Sequence, residues 1–117
     1  MVWIVGFAEP FSGEFDALSE AVQNELLSNA RLLETYGPQL GRPYVDTLNG
    51  SAHANMKELR FKADNGVWRV AFAFDPERNA ILLVAGDKAG TNEKRFYRRL
   101  IGTADKRYAE HLKRMGH

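Results

Sequence analysis

With 117 residues, 44% of them apolar and 26% charged, the chain has the size and core-forming content of one globular domain spanning 1–117. It contains no cysteine, which excludes a disulfide framework, a cysteine zinc site and a thiol nucleophile, and fits a reducing cytoplasm. A formal net charge of +1 hides a segregation: residues 1–40 carry six acids and one base, residues 41–117 fifteen bases and nine acids. Asymmetry of this kind points to a polyanion met through one surface. Two solvated helices of opposite charge would give the same count. The chain opens directly into Val2-Trp3-Ile4-Val5 without a secretory signal, and no run nears the roughly 18 apolar residues of a membrane span, so no membrane partner is expected.

Val2 to Phe7 reads as a short strand, broken at Glu9-Pro10. Ser12 then offers an N-cap, with Glu14 and Asp16 in the first turn. Phe11, Phe15, Leu18, Val22, Leu26, Ala30 and Leu33 recur every three or four residues, the stripe of one amphipathic helix that Gly37-Pro38 ends. Residues 38–56 are turn-rich and read as a loop, tucked onto the core through Leu40, Tyr44, Val45 and Leu48. Three strands are expected near 57–62, 67–75 and 80–87, joined by the hairpin residues Asp64-Asn65-Gly66 and by the longer turn 75–79. Ala80 to Ala85 does not alternate, as suits a central strand covered on both faces. A C-terminal helix is expected from near Asn92, its stripe formed by Phe96, Leu100, Ala104, Tyr108, Leu112 and Met115, with Gly102-Thr103 interrupting it. The fold class is α+β: a small, mostly antiparallel sheet with an N-terminal amphipathic helix on one face and a C-terminal helix.

Period-two alternation sends Trp68, Val70, Phe72 and Phe74 to one face of their strand and Arg69, Ala71 and Ala73 to the other. The first face is a core. The second is expected to be shallow and open, with a fixed guanidinium suited to phosphate rather than to a covering helix.

Four segments in order carry a resemblance: Met56-Lys57-Glu58-Leu59-Arg60-Phe61, Trp68-Arg69-Val70-Ala71-Phe72, Ile81 to Lys88, and Glu93-Lys94-Arg95-Phe96-Tyr97. With the loop Gly37-Pro38, Gly41-Arg42-Pro43 and Leu48-Asn49-Gly50-Ser51, they resemble the phage-derived HigB-like toxins, a branch of the RelE/ParE superfamily of type II toxin–antitoxin systems. The likeness covers roughly residues 2–112. It implies a RelE-like fold and a toxin that cleaves mRNA in the A site of the 70S ribosome. It also implies a cognate helix-turn-helix antitoxin, through which alone operator DNA is bound. No cofactor and no metal are implied, because attack by the 2′-hydroxyl on the adjacent phosphorus needs only proton transfer and charge stabilisation.

Within that resemblance Arg60, Arg69, Lys88 and Tyr97 are the candidate catalytic residues. Arg69 is expected to stabilise the phosphorane, Ala71 and Ala73 leaving room for a nucleotide, and Arg60 to share its face. An arginine reaching solvent, or an Arg60–Glu58 ion pair, remains open beside these roles. Lys88, where a buried strand ends, would donate a proton or clamp phosphate; Asp87 beside it would cap the following turn. Tyr97 would stack on a base, act in acid–base catalysis, or merely cover the sheet edge. Lys57, Lys94, Arg95, Arg98 and Arg99 are candidate contacts to ribosomal RNA, each alone also an ordinary solvated charge. His53 is not expected near Arg69, and three scattered histidines make a metal site improbable. Two other functions fit the same residues: a ParE-like, non-nuclease inhibitor of DNA gyrase, and a non-catalytic RNA-binding accessory domain.

Overall fold

The computed structural model describes residues 2–117. In chain order the elements are β1 (Ile4–Phe7), α1 (Glu9–Asp16), α2 (Glu20–Tyr36), a 3-10 turn (Gly37–Gln39), β2 (Val45–Thr47), β3 (Lys57–Ala63), β4 (Gly66–Phe74), β5 (Asn79–Asp87) and α3 (Glu93–Arg114). The strands form one sheet in the order β1-β5-β4-β3-β2, with β1 parallel to β5 and every other pair antiparallel. None of the described helices is long and apolar enough to cross a membrane.

Two apolar clusters hold helices on opposite faces of the sheet. Val22, Leu26 and Leu33 of α2 pack with Leu59, Phe61, Val70, Phe72 and Leu82 on one face. Leu100, Ala104 and Tyr108 of α3 pack with Ala71, Ala73, Ile81 and Leu83 on the other. Leu26 and Leu33 are fully buried, each contributing about 1.5–3 kcal/mol relative to exposure. The alanine face is therefore not open. Ala71, Ala73 and Ala104 have essentially no exposed surface, and their small side chains are what lets α3 approach the sheet closely. Β5 explains its own lack of alternation: Ala71 opposes Val84 and Phe72 opposes Leu82, leaving Leu83 as the extra residue of a bulge.

Several local expectations are corrected. The first amphipathic stretch is two helices, broken at Ala17–Ser19, and the side chain of Ser19 rather than Ser12 caps the second by accepting from Val22 N–H at 3.3 Å. Glu9-Pro10 opens α1 instead of ending a segment, since proline is tolerated in a first turn where its missing N–H is not needed. The loop 38–56 contains the edge strand β2, paired with β3 through Val45–Leu59, Asp46–Glu58 and Thr47–Lys57. Α3 runs unbroken through Gly102-Thr103, because Leu100 and Ala104 anchor it on both sides of the glycine. Gly37 does end α2, at φ +55°, and a Cβ there would strike the indole of Trp3.

Candidate active site

The site forms where the start of α3 crosses β3 and β4. Asn92 caps α3 by accepting from Arg95 N–H at 2.9 Å, and Glu93 favours the positive end of the helix dipole. Phe96 then settles on Gly86, where a Cβ would stand 2.9 Å from its ring. That contact sets the height of the helix and turns Tyr97 down onto the sheet.

In β3 the pleat sends Glu58 and Arg60 toward α3, while Leu59 and Phe61 enter the opposite core. Pairing of β3 with β4 sets Arg60 directly opposite Arg69, an arrangement that like charges disfavour. Glu58 and Tyr97 relieve it. The Tyr97 hydroxyl donates to Glu58 Oε1 at 2.9 Å and accepts from Arg69 Nε at 3.2 Å. Arg69 Nε lies 3.7 Å from Glu58 Oε1, and Arg60 Nε lies 3.9 Å from Oε2. Arg69 also donates to the Trp68 carbonyl at 2.9 Å. Arg60 is looser: its Nη1 is 3.8 Å from Asp46, and its Nε is buried without a hydrogen-bond partner among the described residues.

Burial pushes the Glu58 carboxyl up, against the opposing pull of the Tyr97 hydrogen bond and the two guanidinium charges. Burial likewise raises the Tyr97 phenol, so Tyr97 is a neutral donor at physiological pH and Glu58 the proton acceptor of the pair. Lys88 completes the group from the end of β5, its Nζ 5.6 Å from the Tyr97 ring centre and 3.0 Å from Glu93 Oε1. Arg60, Glu58, Tyr97 and Lys88 line a cleft of about 360 Å³ together with Arg42 and Asn49. Arg42 and Arg60 also line a neighbouring depression of about 310 Å³, with Arg69.

The structure thus brings Arg60, Arg69, Lys88 and Tyr97 together, with one correction. Arg69 does not lie on an open face with space for a nucleotide beside Ala71 and Ala73; it is 6% exposed and held by hydrogen bonds. The expected RNA-contacting cations divide. Lys94, Arg95, Arg98 and Arg99 are exposed on α3, with Lys94 and Arg98 flanking the Tyr97 side and Arg95 and Arg99 about 160–200° around the helix from it. Lys57 departs from the group, because it alternates with Glu58 and pairs with Phe72, on the sheet face that carries α2. His53 stacks edge-on against Tyr108, away from the cleft. Asp87 accepts from Val67 N–H and Ala89 N–H, bracing the turn that presents Lys88.

The carboxylates Glu58 and Asp46 belong to the site but not to the set of cations and tyrosine that the sequence singles out as catalytic. Glu58 did carry a signal, a charged residue within a strand between apolar neighbours and in phase with Arg60. Asp46 carried none, since nothing marked β2 as a strand.

Comparison with known proteins adds a family. The description "Phage derived protein Gp49-like" matches residues 13–109. The Mycobacterium tuberculosis protein HigB3, named as a candidate toxin, is 50% identical over 93 residues, covering 80% of this chain and 79% of HigB3. HigB2 of the same organism, named likewise, is 43% identical over 105 residues, covering 89% of this chain and 52% of HigB2, so the chain spans about half of that relative's length. The free-state structure of a double mutant of the E. coli toxin RelE superposes with a TM-score of 0.63 over 92% of this chain and 98% of that one, at 16% identity. That likeness is one of fold.

Proposed function

The chain belongs to the phage-derived Gp49-like family, the HigB-type branch of the RelE/ParE superfamily, and from that premise we propose that it is the toxin of a type II toxin–antitoxin system, a ribosome-dependent endoribonuclease that cuts mRNA and halts translation. The observation that carries the nuclease reading is the cluster of Glu58, Tyr97 and Arg60 with Lys88 beside it, opening on one cleft, and buried Arg69 bonded to Tyr97 behind it. A binding surface needs only cations. This cluster also holds a buried carboxylate of raised pKa in contact with a phenol, which is what proton transfer requires.

In the proposed reaction the substrate 2′-hydroxyl gives its proton to the Tyr97 oxygen as Tyr97 passes its own to Glu58. The 2′-oxygen attacks phosphorus, and the bond from phosphorus to the 5′-oxygen breaks. Lys88, whose Nζ lies beside the Tyr97 ring, protonates that leaving oxygen. The products are a 2′,3′-cyclic phosphate and a 5′-hydroxyl, and no step calls on a metal. Arg60, which lines the cleft, neutralises charge on the phosphorane. Arg69 is a positioning residue that holds Tyr97 and Glu58 in register. Lys94, Arg95, Arg98 and Arg99 contact ribosomal RNA, and a helix-turn-helix antitoxin neutralises the toxin.

The test is to add the protein to a cell-free translation reaction and map mRNA 5′ ends by primer extension, with naked mRNA and the Arg60→Ala, Lys88→Ala double variant alongside. New ends that require translating ribosomes and vanish in the variant support the reading. Intact mRNA at inhibitory doses would sink it, and gyrase supercoiling becomes the next assay.

A further inference from the structure

The cleft neutralises itself. Its lining holds three cations, Arg42, Arg60 and Lys88, and three carboxylates, Asp46, Glu58 and Glu93. Arg42 meets Asp46 at 2.6 Å, Lys88 meets Glu93 at 3.0 Å, and Arg60 lies between Asp46 at 3.8 Å and Glu58 at 3.9 Å. Glu58 is buried within the cluster, whereas Asp46 and Glu93 stand at the rim with side chains 33% and 70% exposed. Hydrogen bonds hold both rim carboxyls below their ordinary values, Asp46 first through Thr47 N–H and then Arg42, Glu93 through Lys88. Both are charged at neutral pH. On the exposed first turns of α3 the pattern reverses. Lys94, Arg95, Arg98 and Arg99 are exposed, and none forms an ion pair among the described residues. A groove built to bind any RNA strand leaves its cations free inside, where releasing counterions drives association. Here the free cations lie beside the cleft on α3, and those inside it are matched.

We propose that Asp46 and Glu93 are specificity-determining residues: by occupying Arg42, Arg60 and Lys88 they make the cleft a poor receptor for free single-stranded RNA, so that only a strand held in place by other contacts displaces them. Exposed ion pairs are weak, which is what a displaceable occupant needs. The consequence for cleavage rests on the nuclease reading above; the consequence for binding does not.

The experiment measures binding of a fluorescein-labelled single-stranded RNA octamer by anisotropy across a salt series. It compares wild type, Asp46→Asn/Glu93→Gln, that variant with Lys88→Ala added, and Glu20→Gln/Glu25→Gln as a control of equal net charge on α2. The expected result is binding about three- to tenfold tighter for Asp46→Asn/Glu93→Gln, with a log–log salt slope steeper by about 1.4 as two more phosphates are engaged. Adding Lys88→Ala removes about half of the gain, and the control stays within about twofold of wild type. Unchanged affinity and slope in Asp46→Asn/Glu93→Gln, or an equal gain in the control, overturns the proposal. Cleavage of mRNA, assayed both naked and on ribosomes, separates the two readings. If wild type cuts on ribosomes but the rim variant binds free RNA no better, the rim proposal fails and the nuclease stands. If the binding gain appears and no form cuts mRNA anywhere, the nuclease reading fails and the rim proposal stands.

Discussion

Α3 covers two polar clusters, about 21 Å apart along its axis at 1.5 Å per residue from Tyr97 to His111, and they are built on opposite plans. At the far cluster Asp75 is saturated. It accepts from Glu77 N–H, Asn79 N–H and the Asn79 amide, and pairs with His111 at 2.9 Å, while the Tyr108 hydroxyl donates to the Phe74 carbonyl. At the near cluster two arginines face each other across a strand pair, Glu58 is shared among three partners, and Arg60 Nε has none. The first closes the β4–β5 turn and pins the helix. The second keeps charge crowded and a donor unused at a cleft. The saturated cluster is architecture, and the crowded one, with its charges drawn together at a cleft, is the candidate site.

The two carboxyls also respond to pH with opposite signs. Burial favours the proton on Glu58, so its contribution to stability is full below its unfolded-state pKa and lost as pH rises through the higher folded value. Burial pushes Asp75 the same way, but hydrogen bonds from His111, Asn79 and Glu77 outweigh it and its pKa falls. Its contribution is present above the unfolded value and lost as pH drops through the lower folded one. Acid should therefore loosen the far cluster and leave Glu58 neutral and idle.

Substitutions sharpen the contrast. The largest effect belongs to the near cluster: Arg60→Ala and Glu58→Gln should each slow single-turnover cleavage of ribosome-bound mRNA by about 10²–10⁴, with ribosome binding in sedimentation unchanged. Asp75→Ala should cost about 2–4 kcal/mol in urea unfolding yet leave the rate per folded molecule within about twofold. Tyr97→Phe crosses the divide. It loses the bridge between Arg69 and Glu58, costing about 1 kcal/mol of stability, and with it the oxygen that relays the 2′-hydroxyl proton, slowing cleavage by about 10²–10⁴ like Glu58→Gln. Smallest are Arg95→Ala and Arg99→Ala, each lowering the salt slope of ribosome binding by about 1, with stability within about 0.5 kcal/mol of wild type.

The same contrast explains what the sequence disclosed. Β3, β4 and β5 and the start of α3 were legible because alternation, hairpin residues and an Asn cap act locally. Β2 was not, since three residues between turns carry no period and their pairing with β3 is a tertiary fact. The alanine face was misjudged for a physical reason: small side chains signal an open surface or a close helix equally well, and only Leu100, Ala104 and Tyr108 arriving from about thirty residues downstream decide which. Arg60, Arg69, Lys88 and Tyr97 stood out by residue type. What each one touches was legible only for Arg60 and Glu58, two apart on one strand face, because Asp46 and Glu93 act through contacts that no spacing rule encodes.

The most direct measurement is the pH dependence of single-turnover mRNA cleavage on ribosomes for wild type, Glu58→Gln and Asp75→Asn, kept above the pH at which each form unfolds. If Glu58 takes the proton, wild type and Asp75→Asn share an acidic limb whose midpoint lies above the ordinary glutamate value, and Glu58→Gln is slow and lacks that limb. A Glu58→Gln variant that cuts at the wild-type rate with the same limb would contradict the assignment and leave the cluster a binding surface.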